Sequence, residues 1–246
     1  MTSGLWEIVL KGAWVTIQLL VFSSLIATAV AFIAGTGRTS RLRIVRFLAG
    51  AYTEIFRGTS ALIMIFWVYF VLPQLIGWQL VPMWAGSLAL GLTYGAYGAE
   101  IVRGALQSVD QAQQEGGVAL SFSPVQRLRL ILLPQAVPEM IPPFSNLLVE
   151  LLKGTALVSI IGMADLAYSG SLVRLALQES KEIYAYLLVI YFIIAFLLTR
   201  LMRGLERKLK AGIGRPVEKG WIARKLSPQS DVDQAARRTP VGGGVS

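Results

Sequence analysis

Residues 58–99 read GTSALIMIFWVYFVLPQLIGWQLVPMWAGSLALGLTYGAYGA and contain no charged side chain. This run is about twice as long as the roughly 20 residues that one helical membrane crossing needs. Pro73 and Pro82 bracket a turn in its middle, and Trp78 and Trp84 suit the membrane–water interface. The stretch therefore predicts two membrane-spanning helices joined by a turn.

The composition places the rest of the chain in the same class. Of its 246 residues, 54% are hydrophobic and 15% are charged, and the mean hydropathy is +0.60. Further spans are predicted at 12–37, which carries no charge, at 140–162 and at 183–199. The predicted fold is therefore an all-α polytopic membrane protein with five transmembrane helices, which form one domain over 1–211.

The basic residues predict the orientation. Lys and Arg number 23 against 14 Asp and Glu, an excess that in a soluble protein can indicate nucleic-acid binding. Here they cluster at 36–50, at 105–138 and after Thr199, as the positive-inside rule requires. We predict that both loops and the C-terminus lie in the cytoplasm, that the N-terminus lies outside, and that the partner is the lipid bilayer rather than nucleic acid.

Residue types that the chain lacks exclude several kinds of catalytic site. Without Cys or His, thiol chemistry, disulfides, imidazole catalysis and His metal sites cannot occur. The acidic residues show no paired-carboxylate or metal-ligand spacing, and no Gly-x-x-x-x-Gly-Lys-Ser/Thr phosphate loop is present. We predict a protein that is not an enzyme and has no cofactor or metal; if nucleotide energy drives it, the ATPase is a separate chain.

A stripe of small residues marks the third predicted span. Ser87, Gly91, Gly95 and Ala99 recur every four residues, so they share one helical face and let a neighbouring backbone approach closely. The stripe indicates either packing within the chain or a face at a pathway or dimer interface.

The loop at 105–138 carries signals for two short helices. Asp110 can cap the first, and residues 123–126 (Ser-Pro-Val-Gln) fit a capping box with proline at the first helical position of the second. Pro134 is predicted to end the second helix. Such a helix pair between membrane spans is either a docking surface for an aqueous partner or an ordinary structured loop.

Two further regions are predicted from proline and polarity. Proline stands at positions 134, 138, 142 and 143, so the entry into the fourth span is predicted to be kinked or partly unwound. Residues 212–246 are polar and lack apolar periodicity, which predicts a disordered cytoplasmic tail.

The loop resembles the coupling motif of ABC-importer permeases: Glu-Ala-Ala, three residues, Gly, nine residues, Ile-x-Leu-Pro. Glu115, Ser121 and residues 131–134 stand at those spacings. Over roughly residues 10–210 the chain resembles the polar amino-acid permease family, which implies the type I ABC importer permease fold. Further matching segments lie at 57–73, 97–104, 133–136 and 153–159.

The resemblance assigns contact with the ATPase to Gln114, Glu115, Gly116, Gly117, Ala119, Leu120, Ser121, Ile131, Leu133 and Pro134. Gly116 and Gly117 replace the two alanines of the motif, and each should weaken an exposed helix by about 1 kcal/mol. Ser121 replaces the motif glycine, the residue type that favours a left-handed turn. Gly154 replaces an acid that commonly follows the lysine at 153, so a local ion pair is lost.

The resemblance also implies alternating access and a set of partners. A periplasmic or extracellular solute-binding protein delivers the solute, two permease subunits form the pathway in the bacterial inner membrane, and two ABC ATPase subunits move the coupling helices. Five spans make half a pathway, so a second permease subunit is expected, either a copy or a sister chain. The alternatives are an ion-coupled carrier or channel that does not use ATP, and a membrane scaffold.

Two charges in the fourth predicted span indicate either a patch on the pathway for a zwitterionic solute or a structural ion pair at the seam between subunits. Glu150 and Lys153 lie three residues apart on one helical face, where an unpaired charge costs at least about 2.5 kcal/mol. They are expected to pair, to face the pathway, or both, whereas Arg57 and Glu100 lie near span ends and are predicted to anchor at the interface. The candidate pathway residues are Glu100, Glu150, Lys153, Thr155 and Ser159.

The substrate is predicted only as a class. Residues 57–62 and 151–159 look most like segments of permeases for ectoine and hydroxyectoine. Those solutes are zwitterions, and a pathway that carries both signs of charge would suit them. Polar amino acids are the other candidates.

Overall fold

The computed structural model describes residues 3–212, which are helices joined by turns, without a strand; the all-α class is confirmed. Contacts divide the chain into one unit at Met1–Glu206 and another at Arg207–Ser246. The predicted tail lies outside the described residues except for Gly212. The helices are α1 Ser3–Arg38, α2 Arg43–Gly58, α3 Ala61–Ile76, α4 Pro82–Gln107, α5 Gln111–Ala119, α6 Pro124–Ile161, α7 Leu166–Leu177 and α8 Ser180–Gly212.

Three of these helices, α1, α6 and α8, are long and apolar enough to cross a membrane. The count rises to four if α2 and α3, which meet at 105°, form one broken span. Helix α4 has 26 residues, longer than the hydrocarbon core at about 1.5 Å per residue, but its Gly, Ser, Thr and Tyr residues lower its hydropathy. The turn before it is found at 77–81, which is shorter than the predicted turn because Pro73 lies inside α3. The five-span count stays a prediction that depends on the bent pair and on α4.

The small-residue stripe of α4 packs against α1. A Cβ atom at Gly91 would lie 2.6 Å from Cγ2 of Ile26, and one at Gly95 would lie 3.0 Å from Cβ of Val30. The other two members of the stripe are buried as well. Packing within the chain is therefore confirmed, and it explains the low hydropathy of α4: a helix surrounded by protein needs small residues for close contact more than it needs large apolar ones.

Two wide helical turns occur, and each directly precedes a Leu-Pro sequence. The backbone N–H groups of Leu72 and Leu133 each donate to the carbonyl five residues earlier, which is the bond of a π turn. Pro73 and Pro134 come next in the chain. Because proline has no N–H and its ring crowds the preceding turn, the helix is widened there by one residue.

The expected effects of proline on α6 are wrong in two respects. Pro134 does not end a helix, because the π turn at Leu128–Leu132 absorbs it and α6 continues to Ile161. The three later prolines lie inside the helix, so the predicted unwinding of the fourth span is not found in this described segment. Membrane helices tolerate internal proline where neighbouring groups or small local adjustments satisfy the freed carbonyls.

The start of helix α7 is capped by Asp165 and joined to α1 by one hydrogen bond. Asp165 is buried and caps α7, since its carboxylate accepts from the N–H groups of Ala167 and Tyr168. The buried Thr16 hydroxyl of α1 accepts from the N–H of Leu166 at 3.0 Å. These bonds satisfy the first N–H groups of α7 within the protein, as a buried helix start requires.

Candidate functional site

Both helices of the loop at 105–138 begin at the predicted caps. Asp110 accepts from the N–H of Ala112 at 3.0 Å and starts α5. Ser123 and Gln126 form the full capping box at the start of α6: the Ser123 N–H donates to Gln126 Oε1 at 2.8 Å, and the Gln126 N–H donates to Ser123 Oγ at 3.3 Å. The loop is thus held in shape by its own sequence.

Ser121 adopts the left-handed conformation with φ of 58°, although it is not a glycine. Its N–H donates to the carbonyl of Val118 at 2.9 Å, and the N–H of Phe122 donates to that of Gly117 at 3.0 Å. These two bonds are the Schellman pattern that closes a helix C-terminus. The turn of the motif is therefore retained, at the conformational cost that a side chain adds in this region.

The two glycines that replace the motif alanines differ in their surroundings. Gly116 is exposed, and a Cβ there would meet nothing within 4 Å. Gly117 is buried, and a Cβ there would lie 2.7 Å from Cδ1 of Ile131 and 3.0 Å from Cγ of Arg127. Gly117 thus brings the two halves of the motif into contact, and the expectation that it only weakens the helix is incomplete.

Alanine substitutions should separate these two glycines. Gly116→Ala is expected to stabilise α5 by about 1 kcal/mol, because alanine has the higher helix propensity and meets no neighbour. Gly117→Ala gains the same propensity but must displace Ile131 and Arg127, so we expect no net gain or a loss of about 1 kcal/mol. Hydrogen–deuterium exchange of the α5 amides measures both, and equal protection in the two variants would contradict the packing role of Gly117.

The predicted coupling residues fall into an exposed group and an anchoring group. Gln114, Ile131 and Leu133 are partly buried, and Pro134 follows the π turn. Leu120 is 67% exposed, and Val118, which the resemblance did not assign, is 56% exposed. Besides Leu120, the exposed residues among those predicted to meet the ATPase are Glu115, Gly116, Ala119, Ser121 and Pro134.

A groove runs along the α5 side of this surface. It has a volume of about 550 Å³ and is lined mainly by polar residues at 107–115 together with Val118 and Arg127. The Glu115 carboxylate lies beside it and accepts a hydrogen bond from Gln111 Nε2 at 2.9 Å. The outer side of α5 thus presents an exposed ridge, which consists of the carboxylate of Glu115 and the apolar side chains of Val118 and Leu120.

Glu150 and Lys153 are both exposed on α6, and no ion pair joins them within the described part of the chain. Of the predicted alternatives, pairing within the chain is not found, and the prediction that the two charges face the pathway stays a prediction. Beside them, Tyr94 Oη donates to the carbonyl of Glu150 at 3.1 Å, and Tyr94 lies 6.2 Å from Tyr97, centroid to centroid. We call Arg57, Tyr94, Tyr97, Glu150 and Lys153 the charged face.

Arg57 contacts Tyr97, the member of the charged face next to Tyr94. Its guanidinium lies over the Tyr97 ring, 5.6 Å from the centroid, and Tyr97 Oη donates to the Arg57 carbonyl at 3.3 Å. Gly154 makes room for the arrangement, because a Cβ there would lie 2.6 Å from Tyr94 Oη. The departure at 154 thus has a packing role that the sequence pattern did not reveal.

The other predicted pathway residues are not on this exposed surface. Thr155 is fully buried and its hydroxyl donates to the carbonyl of Leu152 at 2.6 Å. Ser159 is partly buried and donates to the carbonyl of Ala156. Both hydroxyls are satisfied within their own helix, so the structure does not bring them to Glu150 and Lys153.

Glu100 is the centre of an ion-pair cluster, and its anchoring at the interface stays a prediction. Its Oε1 bonds Arg38 of α1 and lies 3.9 Å from Arg57 of α2, while Oε2 lies 2.8 Å from Arg103 of α4. Glu54 adds a second acid at 3.7 Å from Arg38. The i,i+3 spacing of Glu100 and Arg103 could have predicted their ion pair from the sequence. No local sequence pattern could have predicted that Arg38 and Arg57 also approach Glu100.

The comparisons with known proteins agree with this arrangement. Residues 27–211 match the family described as "Binding-protein-dependent transport system inner membrane component". The chain belongs to this family. It is therefore a multi-pass inner-membrane permease component, which is not itself the catalytic subunit, and the resemblance seen in the coupling loop is confirmed at the level of the family.

Several proteins are similar to this permease component over most of its length. The probable amino-acid ABC transporter permease protein y4tF of Sinorhizobium fredii is 45% identical over 201 residues, 80% of this chain and 84% of that protein. The arginine transport system permease protein ArtQ of Bacillus subtilis is 34% identical, covering 82% of this chain and 93% of ArtQ. The glutamine transport system permease protein GlnP of Escherichia coli is 31% identical, covering 85% and 97%.

Solved structures confirm the fold. A chain from the crystal structure of an amino acid ABC transporter with histidines superposes with a TM-score of 0.74 at 28% identity, covering 82% of this chain and 94% of that chain. A chain of the MetNI methionine ABC transporter in an inward-facing conformation gives a TM-score of 0.75 at 19% identity, covering 85% and 99%. The type I importer permease fold is thus shown.

Proposed function

We propose that this permease component couples to a separate ABC ATPase through the loop at 105–138. The observation that carries the proposal is that some residues of the loop anchor α5 to the protein while others are exposed on its outer side. Gly117 and Ile131 lock α5 to the rest of the protein, while Glu115, Val118 and Leu120 are held outward on a capped helix. A rigid helix with an exposed apolar and charged ridge suits insertion into a partner's groove.

The proposed orientation follows from the same loop. If α5 meets a cytoplasmic ATPase, the C-terminus lies in the cytoplasm and the N-terminus outside, as the basic residues predict. A solute-binding protein would then act on the outer face. Two ATPase chains and two permease chains would complete the importer, with the second permease either a copy or a sister chain.

We further propose that the charged face lines the translocation pathway for a small zwitterion. It offers Lys153 as a cation and Glu150 as an anion, three residues apart on α6, with Tyr94 beside them and Tyr97 next to Tyr94. Arg57 lies over the Tyr97 ring and is also 3.9 Å from the Glu100 carboxylate. Exposed charges within an apolar helix that is long enough to cross a membrane are costly against lipid, so a second subunit or a water-filled path should cover them. The relatives named for amino acids support a polar amino acid, and an ectoine-type solute has the same charge pattern.

Charge reversal at Glu115 tests the coupling proposal. With the full chain expressed beside its ATPase, Glu115→Arg is expected to lower the amount of ATPase that co-purifies about tenfold, because one charged contact is replaced by its opposite. Glu179→Arg, an exposed reversal between α7 and α8, is the matched control and should recover as much ATPase as the unchanged chain. Equal recovery in both variants would refute coupling through α5.

Neutral variants on α6 test the pathway proposal. Glu150→Gln and Lys153→Met are each expected to lower solute uptake about tenfold at unchanged protein abundance and unchanged ATPase recovery. Each substitution removes from the protein the charge that would attract one of the two charged groups of the zwitterion. Glu179→Gln serves as the control. Uptake at the level of the unchanged chain in both α6 variants would exclude a role for this pair, and uptake that continues without any ATPase would favour an ion-coupled carrier or channel.

A further inference from the structure

A large cleft separates the loop after α1 from the start of α6. It has a volume of about 1010 Å³, and its lining includes Arg38, Arg41, Arg46 and Arg127 but no Asp or Glu among the described residues around it. Four guanidinium groups around one opening, without an acid in its wall, form a site for an anion. This cleft is distinct from the charged face, and it shares Gln107, Gln114 and Arg127 with the groove beside α5.

Three of these arginines are not neutralised by the protein. Arg38 is held by Glu100, but neither Arg41 nor Arg46 has an ion-pair partner in the part of the chain that the structure describes. The Nε atom of Arg127 is buried without a hydrogen-bond acceptor among the described residues. A buried donor that lacks an acceptor costs about 1–3 kcal/mol, so the guanidinium of Arg127 is incompletely satisfied by the protein.

The neighbouring surface is apolar. Ile44, Phe47 and Leu48 of α2 are 75%, 73% and 61% exposed and share one helical face. Leu42 and Val45 continue the apolar surface into the cleft itself, beside Arg41 and Arg46. An amphipathic helix flanked by arginine is the pattern of a helix that lies in a membrane interface.

We propose that the cleft binds the phosphate headgroup of an anionic phospholipid from the cytoplasmic leaflet. The phosphodiester accepts hydrogen bonds from Arg41, Arg46 and Arg127, and the acyl chains lie along the apolar face of α2. A soluble phosphate would use the arginines but leave that apolar surface without a partner, so the lipid fits both parts of the site. The proposal rests on the cytoplasmic position of the 105–138 loop proposed above.

The bound lipid would connect to the coupling helix. The side-chain stem of Arg127 packs against Gly117 of α5, so its headgroup contact and the ATPase-facing ridge share one side chain. Anionic lipid is therefore expected to hold the loop after α1 and the coupling loop together. Transport should increase with the fraction of anionic lipid in the membrane.

Lipid binding to the purified full chain, with its co-purifying partners, tests the proposal. Native mass spectrometry with added phosphatidylglycerol should show affinity about 25-fold lower in Arg41→Gln/Arg46→Gln, since each basic side chain contributes about fivefold. Arg200→Gln/Arg203→Gln, which removes the same charge from the end of α8, should stay within about twofold of the unchanged chain. Equal loss in both double variants, or phosphatidylcholine binding as tightly as phosphatidylglycerol, would overturn the site.

A lysine variant and competition with inorganic phosphate test the same site in two further ways. Arg41→Lys/Arg46→Lys keeps the charge and should lose only a few-fold in affinity, so it reports on the site even if the glutamine variant folds poorly. Inorganic phosphate at equal concentration should not displace the lipid; full displacement would assign the cleft to a soluble anion and overturn the lipid proposal. ATPase recovery with the unchanged chain is measured in the same preparations, so failure of the lipid site is distinguished from failure of the coupling proposal.

Discussion

Glu100→Gln is expected to lower the free energy of unfolding by about 3 kcal/mol. The carboxylate holds Arg38, Arg57 and Arg103 from three different helices, and its side chain is only 21% exposed. Without it, three guanidinium groups repel one another, with Glu54 as the nearest remaining acid. Breaking a buried pair from one side costs about 3–5 kcal/mol, and the partial exposure here favours the low end of that range.

The measurement is the temperature at which half of the detergent-purified chain loses its folded elution peak. A loss of about 3 kcal/mol corresponds to a decrease of about 6–12 °C in a chain of this size. Glu54→Gln is the matched control, because Glu54 is 69% exposed and lies 3.7 Å from Arg38, and it should change the midpoint by less than about 2 °C.

A double variant distinguishes electrostatic loss from lost packing. Glu100→Gln combined with Arg38→Gln should be less destabilised than the sum of the two single variants, because the second substitution removes one of the unpaired cations. If the destabilisation of the double variant equals the sum of the two single variants, Glu100 acts through its shape alone.

The local signals of this sequence were reliable where chemistry within a few residues decides the structure. The caps at Asp110 and Ser123 formed as predicted, because each uses a side chain and an N–H two or three residues away. The stripe on α4 was readable because helical periodicity places its members on one face. Its partner, α1, could not be read from the sequence, since the contact lies far away along the chain.

The sequence predicted the effects of proline and the partners of charged residues less well, because both depend on the surrounding fold. Pro134 predicts the end of a helix by local rules, yet a π turn absorbs it and the membrane helix continues. Glu150 and Lys153 are correctly spaced for an ion pair, but their environment decides whether they pair, and both point outward. Glu100 likewise lies near a span end by sequence, whereas the fold of α1 and α2 brings two distant arginines to it.

Gly35→Ala is expected to cost about 3 kcal/mol at the crossing of α1 and α4. A Cβ at this position would lie 2.6 Å from Cβ of Val102 and 2.8 Å from the carbonyl oxygen of Ala99. Neither neighbour is the flexible end of a side chain, so the two helices must move apart, and overpacking of this kind costs about 1–3 kcal/mol. The upper end applies because α1 and α4 share a long contact that a local shift would disturb.

The control for this crossing is Gly104→Ala in α4, where a Cβ would meet nothing within 4 Å. That variant should gain about 1 kcal/mol from helix propensity, so the two alanine substitutions are expected to move the unfolding midpoint in opposite directions. The same elution assay measures both. A rise in the midpoint of Gly35→Ala would show that α1 and α4 do not approach as closely as the contact at Ala99 requires, and the packing argument for the low hydropathy of α4 would then fail with it.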